Sequence, residues 1–351
     1  EIAEALGAGE IGGVILFSRN IGELEQVVAL NERLHELADG QEDPPFVAID
    51  QEGGRVMRIR EGVTPIPPMG EIGEARDPEY VADVSQVIAS ELQALGFNLN
   101  FAPVLDVDTN PDNPIIGDRA FGEDPDWVGR AGGAYLYGHN VAGVVPCGKH
   151  FPGHGDTRSD SHKDLPVLMH GPDRLEEVEL RPFRTGVGAG IPMLMTAHIL
   201  MPSIDAVHPA TFSRQILDGI LREELGFQGV VVTDDLEMAA VAERYSIEEM
   251  IDLGLETSVD LFLICHTTDK WQRAYDRLVE AGLASEEVAE RIVESAERIG
   301  RLKSEFFAHR DRPWSPAADW RDRLASEPNR QRLERGGLDG RPGPGGRDIG
   351  T

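Results

Sequence analysis

Short apolar runs alternate along the chain with longer stretches in which apolar residues recur every three or four positions. The short runs have strand character and lie at 12–17, 45–50, 97–105, 144–151, 193–199, 229–235 and 260–265. The longer stretches have helical character and lie at 23–38, 77–95, 125–142, 174–189, 213–225, 246–254, 270–282 and 285–308. Because strands that alternate with helices pair in parallel, this order predicts an α/β protein whose parallel sheet is covered by helices.

Polar residues at the ends of the apolar runs indicate which parallel architecture the chain adopts. A dinucleotide-binding open sheet would place G-x-G-x-x-G after its first strand, but this chain has FSRNIGELEQ there. Candidate ligand residues instead follow nearly every predicted strand: Arg19, Asp50, Asp106, Lys149, His150, His198, Asp234 and His266. Active sites of (β/α)₈ barrels are assembled from many strand ends in this way. The sequence therefore predicts a TIM-type (β/α)₈ barrel.

The number of predicted strands is seven, whereas a closed (β/α)₈ barrel has eight. The chain opens with a helical stretch, EIAEALGAGEIG, ahead of the first predicted strand. We therefore expect a catalytic barrel over residues 1–308 that lacks its first strand in this chain. Residues 309–351 are rich in Arg, Gly and Pro and end in RGGLDGRPGPGGRDIGT, so we expect a poorly ordered tail there.

Charge and hydropathy exclude several kinds of partner and a location in the membrane. The chain has 62 acidic and 33 basic residues, a formal net charge of −29. Since nucleic acid and anionic lipid are bound chiefly through cationic side chains, we expect neither as a partner. No apolar run approaches the ~18 residues that a membrane-spanning helix needs. Cys147 and Cys265 are expected to be free thiols. We expect a cytoplasmic monomer, with secretion as the alternative location.

The segment KHFPGHGDTRSDSHKDLP at 149–166 is rich in titratable residues and poor in residues that could fill a core. It follows a predicted strand, so we expect a loop at the catalytic end of the barrel. Asp160 and His162 place a carboxylate and an imidazole two residues apart, and the carboxylate can orient the ring for proton transfer near neutral pH. A histidine in such a loop can also be purely structural.

The segment VVVTDDLEM at 230–238 supplies a second candidate for chemistry. Asp234 is expected at the last position of a strand, where its carboxylate can attack an electrophilic carbon or stabilise a cation. An aspartate before a helix is also a common N-cap. We assign the cap to Asp235 and the chemical role to Asp234.

Three further segments place polar side chains around the same end of the barrel. Asp50 ends the strand in FVAIDQEGGRVMRIR, and its carboxylate can accept two hydroxyl hydrogen bonds from a sugar. Arg58 follows in that segment. Arg119 lies in the loop IIGDRAFGEDP, where a lone arginine can also be a surface ion-pair partner. Lys149 and His150 complete a ring of polar groups that would face a central ligand.

In these motifs the chain resembles the β-N-acetylglucosaminidases of glycoside hydrolase family 3. The resemblance lies in K-H-F-P-G-H-G-D and D-S-H within 149–166, and in AIDQEGGRV (48–56), FAPVLDVD (101–108), IGDRAFGEDP (116–125) and VVTDDLEMAA (231–240). It covers most of the chain ahead of the tail, and the loop at 149–166 is its most specific part. Related β-glucosidases share the K-H-F start and the strand-end aspartate but not the D-S-H loop.

The resemblance implies a role for each matched residue. Asp234 corresponds to the nucleophile, and His162 with Asp160 corresponds to an acid/base dyad on a mobile loop. The residues implied to bind the sugar are Asp50, Arg58, Arg119, Lys149 and His150. The implied reaction is exo-acting hydrolysis of a terminal β-linked N-acetylglucosamine with retention of configuration, without metal or cofactor. The implied substrate is a muropeptide or another oligosaccharide derived from peptidoglycan or chitin.

Other functions fit parts of the pattern. Within the family, a β-glucosidase or a glycoside phosphorylase is an alternative, because a neutral histidine tolerates an anionic phosphate acceptor better than a carboxylate does. A metal-dependent hydrolase could draw on His150, His154, Asp156, Asp160 and His162, although the H-E-x-x-H spacing of many zinc enzymes is absent. A sugar-binding barrel without turnover is the alternative from another class.

Overall fold

Seven parallel strands form the central sheet of the protein. The computed structural model describes residues 1–41, 43–161, 164–307 and 315–334. Its strands are β1 (Gly13–Leu16), β2 (Phe46–Ile49), β3 (Gln51–Gly53), β4 (Val56–Met57), β5 (Leu99–Asn100), β6 (Val145–Phe151), β7 (Met193–Thr196), β8 (Val230–Asp235) and β9 (Leu261–Leu263). The sheet order is β1-β2-β5-β6-β7-β8-β9, with every neighbouring pair parallel. All seven predicted strands are confirmed, and the antiparallel hairpin β3–β4 is an addition.

Helices connect the strands and cover the outer face of the sheet. They are α1 (Ile2–Ala8), α2 (Leu24–Leu37), α3 (Met69–Glu74), α4 (Pro78–Ala94), α5 (Pro125–Ala142), α6 (Pro172–Arg174), α7 (Leu180–Gly188), α8 (Ala239–Ala242), α9 (Ile247–Leu255), α10 (Thr268–Ala284), α11 (Glu286–Phe307), α12 (Trp320–Arg323) and α13 (Glu327–Glu334). The segments Leu175–Glu179 and Gln215–Glu224 have π-helical hydrogen bonding. Among the described residues, each helix is too short or too polar to cross a lipid bilayer.

Local sequence signals set the bounds of the two long helices that pack together on the sheet, α4 and α5. Asp77 accepts the N–H of Glu79 at 3.0 Å and Asp124 accepts that of Asp126 at 3.1 Å, so each aspartate caps one helix. A proline follows each cap at the first helical position, where its missing N–H costs nothing. Gly143 ends α5 with a φ of 72°, a conformation that favours glycine.

The strands bury side chains on both faces of the sheet, which explains their nearly continuous apolar character. Met193, Met195 and Val232 point into a core on the concave side of the curled sheet. Leu194 and Val231 alternate with them and pack under the helices. The result is a curled parallel half-barrel whose strand ends lie along one rim, as the parallel α/β prediction requires.

The edge strands β1 and β9 border a common apolar gap. In the part of the chain that the structure describes, no strand pairing joins them. A cavity of about 320 Å³ lies between them, and its lining includes Val14, Phe101, Leu263 and Trp271. The buried Nε1 of Trp271 has no hydrogen-bond partner among the described residues. The half-barrel therefore presents two strand edges and an indole donor to the same space.

Residues 315–334 pack against α4, although they fall within the stretch expected to be a poorly ordered tail. Trp320 and Leu333 are buried, and Asn329 Nδ2 donates to Glu91 Oε1 at 2.9 Å. These contacts offset the entropy lost on ordering the segment. The Arg, Gly and Pro content of the whole stretch does not reveal them. Residues 315–334 thus contact α4, whereas residues 309–314 and 335–351 lie outside the described part, and the expectation for the tail stays a prediction.

Candidate active site

A cavity of about 480 Å³ lies at the carboxyl ends of the parallel strands. Its volume is within the range of small-molecule sites, roughly 300–1,000 Å³. Its walls come from the ends of β2, β6 and β8 and from the loops after β4 and β5. The predicted site residues in its lining are Asp50, Arg58, Arg119, Lys149, His150 and Asp234. The sequence therefore identified six of the polar residues that line this cavity, and others, such as Glu52, His154 and His266, were not predicted as sugar-binding or catalytic residues.

Asp50 directly follows β2 and lies between two cations. Its Oδ1 accepts from Lys149 Nζ at 2.9 Å, and its Oδ2 accepts from Arg58 Nη2 at 3.1 Å. Burial alone would raise the pKa of Asp50, but the charges of Lys149 and Arg58 outweigh it and hold that pKa below its ordinary value. The carboxylate is therefore ionised at the cavity wall, where it can accept hydrogen bonds from hydroxyl groups.

Glu52 lies two residues after Asp50 and was missed by the sequence analysis. Arg119 donates to both Glu52 carboxylate oxygens at 2.8 Å, and Lys149 Nζ lies 2.6 Å from Glu52 Oε1. Burial would raise the pKa of Glu52, yet the charges of Arg119 and Lys149 hold it well below its ordinary value. The available signal was spacing, because residues i and i+2 of an extended strand point to the same side.

The ion pairs described above form one cluster with a net charge of +1, within a chain whose formal net charge is −29. Its five side chains are Asp50, Glu52, Arg58, Arg119 and Lys149. Each cation in the cluster has several N–H donors, and all three cations line the cavity. The two carboxylates orient these donors and keep them charged. The cluster can therefore bind the electronegative oxygen atoms of a ligand while Asp50 accepts from its hydroxyl groups.

Asp106 anchors the chain on both sides of the β6 carboxyl end. It is fully buried, and its Oδ2 lies 2.7 Å from His150 Nδ1. Its Oδ1 accepts the backbone N–H of His154 at 2.6 Å. Burial opposes ionisation of Asp106, but the two neighbouring imidazoles and the hydrogen bonds hold its pKa below the ordinary value. His150 lines the cavity. Because its Nδ1 contacts Asp106, its Nε2 is the ring nitrogen left to face a ligand there.

Asp234 is the next-to-last residue of β8 and lines the same cavity as Asp50, Arg119 and Lys149. It is half-buried, and its Oδ1 accepts the N–H of Asp235 at 2.8 Å. A strand end fixes the backbone of this carboxylate more firmly than a loop would. The structure thus brings Asp234 to the cavity ringed by the other polar residues, as the sequence predicts.

Asp235 has a different environment from its neighbour. It accepts the N–H of Glu237 at 3.0 Å and lies 3.2 Å from His266 Nε2. Burial and, to a lesser degree, the Asp234 charge raise the pKa of Asp235 to about 6. The predicted helix cap is wrong, since α8 begins only at Ala239 and Asp235 closes the turn before it.

The loop after β6 carries the two remaining predicted residues. His162 lies outside the described residues. Asp160 is half-buried, and its carbonyl accepts the N–H of Asp164 at 3.0 Å. Asp160 is not among the described residues that line the cavity, whereas Ser161, which follows it, is. The acid/base pair stays a prediction, and Ser161 places its loop at the cavity.

Two side chains considered as metal ligands contact protein groups instead. Asp156 Oδ2 lies 2.6 Å from His170 Nε2, and the ring nitrogens of His154 contact Thr157 and Ser161. Within the described ranges, no group of three or more His, Cys, Asp or Glu side chains is arranged to hold a metal ion. The expected independence from metal and cofactor stays a prediction.

The fold and this arrangement of side chains have relatives. Residues 1–302 match the Glycosyl hydrolase family 3 N terminal domain. A beta-hexosaminidase from Thiobacillus denitrificans is 44% identical over 262 residues, which cover 73% of this chain and 72% of that protein. The chain belongs to glycosyl hydrolase family 3. The resemblance stated from the sequence motifs is confirmed.

Solved structures from several organisms are similar to this family 3 chain. A β-N-acetylglucosaminidase from Paenibacillus sp. str. FPU-7 is 37% identical with a TM-score of 0.85, and the match covers 95% of this chain and 64% of that one. NagZ from Neisseria gonorrhoeae in complex with N-trifluoroacetyl-D-glucosamine is 34% identical with a TM-score of 0.72, covering 84% and 85%. This family 3 chain therefore spans slightly less than two thirds of the Paenibacillus protein.

Proposed function

We propose that this family 3 chain is a retaining, exo-acting β-N-acetylglucosaminidase with Asp234 as its nucleophile. The observation that carries the proposal is the position of Asp234 at the end of β8, in one cavity with Asp50, Arg119 and Lys149. A retaining glycosidase needs a carboxylate beside the anomeric carbon to form a covalent glycosyl intermediate. A strand-end carboxylate that borders a sugar-sized polar cavity meets that need.

The polar cluster is proposed to bind the sugar ahead of the bond that breaks. Asp50 would accept hydrogen bonds from two sugar hydroxyl groups, because it is ionised and lies at the cavity wall. Lys149, His150 and Arg119 would donate to sugar oxygens, and Arg58 would hold Asp50 in place. Multiple contacts of this kind fix the anomeric carbon relative to Asp234.

Proton transfer is assigned to His162 with Asp160 as its partner. The support is the D-S-H motif at 160–162 and the position of Ser161 in the cavity lining. In the first step the histidine would give a proton to the leaving oxygen as Asp234 attacks. In the second it would take a proton from water as the glycosyl ester is cleaved, so configuration is retained. The substrate is proposed to be a peptidoglycan-derived or chitin-type oligosaccharide, including muropeptides.

Hydrolysis of aryl β-N-acetylglucosaminide against aryl β-glucoside tests the proposed activity. We expect at least a tenfold preference in kcat/KM for the N-acetylated substrate, and a β-configured sugar as the first product in an NMR time course. Asp234→Ala is expected to remove turnover, whereas Asp276→Ala on the exposed face of α10 should keep it. Binding without turnover by the unaltered chain would favour a sugar-binding barrel, and phosphorylated sugar formed in phosphate buffer would favour a phosphorylase.

We further propose that an eighth strand closes the barrel between β1 and β9. The apolar lining of that gap and the unpartnered Nε1 of Trp271 support an extended segment there, since its side chains would fill the gap and a carbonyl could accept the indole N–H. Extension of the amino end with a strand from a family relative should raise Tm by several degrees and shift tryptophan fluorescence. A glycine–serine extension of equal length should do neither.

A further inference from the structure

The loop after β6 has a base that is fixed by hydrogen bonds from the neighbouring loop. Asn113 Nδ2 donates to the carbonyls of His154 and Gly155, each at 2.9 Å. Asn110 Nδ2 donates to the carbonyl of Thr157, also at 2.9 Å. All of these groups are buried. The backbone of 154–157 is therefore held independently of what the rest of the loop does.

Ser161 lies four residues beyond this base and is buried at the cavity. Its side chain contacts the base, because its Oγ lies 3.2 Å from His154 Nε2. Its carbonyl accepts the N–H of Ala240 at 3.2 Å, in the first turn of the helix that follows β8. An exposed ion pair of 3.1 Å between Asp164 and Arg244 adds a contact in the turn just after that helix. Ser161 thus lies between the loop base and α8, the helix that follows the strand carrying Asp234.

Hydrogen-bond geometry supports one tautomer of His154. We assign the single hydroxyl proton of Thr157 to the carbonyl of His154, 3.0 Å away. With this assignment Thr157 Oγ1 accepts from His154 Nδ1 at 2.7 Å, so Nδ1 carries the ring proton. Nε2 is then the acceptor that receives the Ser161 hydroxyl. Burial, aided by nearby His150, lowers the pKa of His154 to about 4, which keeps the imidazole neutral near pH 7.

We propose that His154 is a positioning residue that, by accepting the Ser161 hydroxyl, fixes the loop carrying Asp160 and His162 against the Asp234 side of the cavity. The inference rests on the proposed function. Asp160 and His162 are the sequence neighbours of Ser161, and consecutive Cα atoms are about 3.8 Å apart, so a shift of Ser161 moves both. Proton transfer to the leaving oxygen requires hydrogen-bond reach, whereas sugar binding relies on the strand-end cluster. Loss of the contact should therefore impair leaving-group protonation and spare sugar binding.

Two substitutions of His154 separate this role from simple packing. Asn places an amide near the Nδ1 position and can still donate to Thr157, but it cannot reach Ser161. Gln places a carbonyl near the Nε2 position and can accept the Ser161 hydroxyl. The test compares kcat/KM for two substrates. Methyl β-N-acetylglucosaminide has a poor leaving group, whereas dinitrophenyl β-N-acetylglucosaminide has an activated one that needs little protonation.

His154→Asn is expected to lower kcat/KM for the methyl glycoside about 10- to 100-fold and for the dinitrophenyl glycoside less than about threefold, since acid catalysis contributes only to the first. His154→Gln should recover most of the loss. Ser161→Ala, which leaves His154 in place, should reproduce the Asn pattern, and the double variant should be no worse than either single variant. Inhibition by free N-acetylglucosamine should be unchanged throughout.

Equal losses on both substrates, or equal losses in the Asn and Gln variants, would overturn the positioning role. So would a Ser161→Ala variant with unchanged selectivity between the leaving groups, which also decides the case if His154→Asn does not fold. These outcomes differ from failure of the proposed function, in which the unaltered chain would hydrolyse neither glycoside.

Discussion

Glu52 and Arg119 form a bidentate ion pair in which both guanidinium donors lie 2.8 Å from the two carboxylate oxygens. The side chains are 2% and 9% exposed, so neither charge can turn to water if its partner is removed. A buried pair of this kind sets geometry more than it adds stability, but breaking it leaves an uncompensated charge. The pair therefore holds Arg119 at the cavity wall, and Lys149 shares the same carboxylate.

Glu52→Gln tests this arrangement, because it keeps the shape of the side chain and removes its charge. We expect the free energy of unfolding to fall by about 3 kcal/mol, since two buried cations lose a counter-charge. We also expect KM to rise more than kcat falls, because the donors proposed to bind the sugar, Arg119 and Lys149, lose their orientation. Urea unfolding and steady-state kinetics measure both. Glu280→Gln is the matched control: its pair with Arg277 is exposed, so it should change stability by less than about 1 kcal/mol.

The loop that follows β6 depends on Gly155, because a Cβ there would lie 1.8 Å from the Val107 carbonyl oxygen. Gly155→Ala must therefore displace backbone, and we expect it to lower the free energy of unfolding by about 2–3 kcal/mol and to reduce kcat/KM strongly. Gly171→Ala is the control, since nothing lies within 4 Å of a Cβ at that position. Equal behaviour of the two variants in thermal unfolding would show that the close approach to Val107 is absent in solution.

Buried His139 predicts an acid-sensitive fold. Ser85 donates to the Tyr135 carbonyl and so accepts from His139 Nδ1, while His139 Nε2 accepts from Asn100. Burial lowers the pKa of His139 to about 3 from 6.5. The unfolded chain therefore binds a proton that the folded chain does not, between these two values. Stability from this group is complete above pH 6.5 and decreases as the pH falls toward 3.

Between pH 6.5 and 5 this single group should cost about 2 kcal/mol of unfolding free energy, at about 1.4 kcal/mol per pH unit. His139→Gln should be less stable than the unaltered chain at pH 7, because the ring stacked on Tyr135 is lost. It should, however, lose about 2 kcal/mol less than the unaltered chain between the two pH values. Parallel pH dependences in urea unfolding would contradict the assignment of this sensitivity to His139.

Asp106→Asn should impair sugar binding by releasing the His150 ring. An amide in place of the carboxylate can turn its NH₂ group toward Nδ1, which favours the wrong tautomer of His150. We expect kcat/KM for aryl β-N-acetylglucosaminide to fall about 10- to 100-fold, within the range that orientation effects can supply. His208→Gln, which alters a partly exposed histidine–aspartate contact of 3.7 Å, serves as control and should stay within about twofold. Unchanged kinetics in Asp106→Asn would remove His150 from the binding wall.

Much of the fold and of the candidate site was predictable because both rest on local patterns. Runs such as 144–151 and 229–235 begin with apolar residues because parallel strands are buried on both faces, and their polar ends mark the rim of the sheet. Asp50, Lys149 and Asp234 were found in this way. The family was also correctly inferred, because its motifs lie at those strand ends. The hydrolytic roles of the individual residues stay predictions, as do the monomeric state and the cytoplasmic location.

What the sequence missed depends on contacts between distant segments. Glu52 was not predicted, and Asp106 was predicted only as a candidate at a strand end. Both are buried carboxylates whose partners lie 67 and 44 residues away, and no local pattern reports such pairings. The packing of Trp320 on α4 likewise joins segments far apart in sequence, so composition alone suggested poor order. Predictions based on a residue's own segment therefore identify side chains at strand ends. They miss side chains whose partner lies in a segment distant in the sequence.

Asp106 connects the position of His150 to the position of the loop after β6. One of its oxygens lies against the ring of His150, on the wall proposed to bind the sugar, and the other accepts the backbone N–H of His154, where the loop after β6 begins. A variant designed to widen the pocket by moving His150 would consequently also shift the root of that loop. Changes of sugar preference in this protein should therefore come with changes in proton-transfer rate, unless both ends of this one carboxylate are preserved.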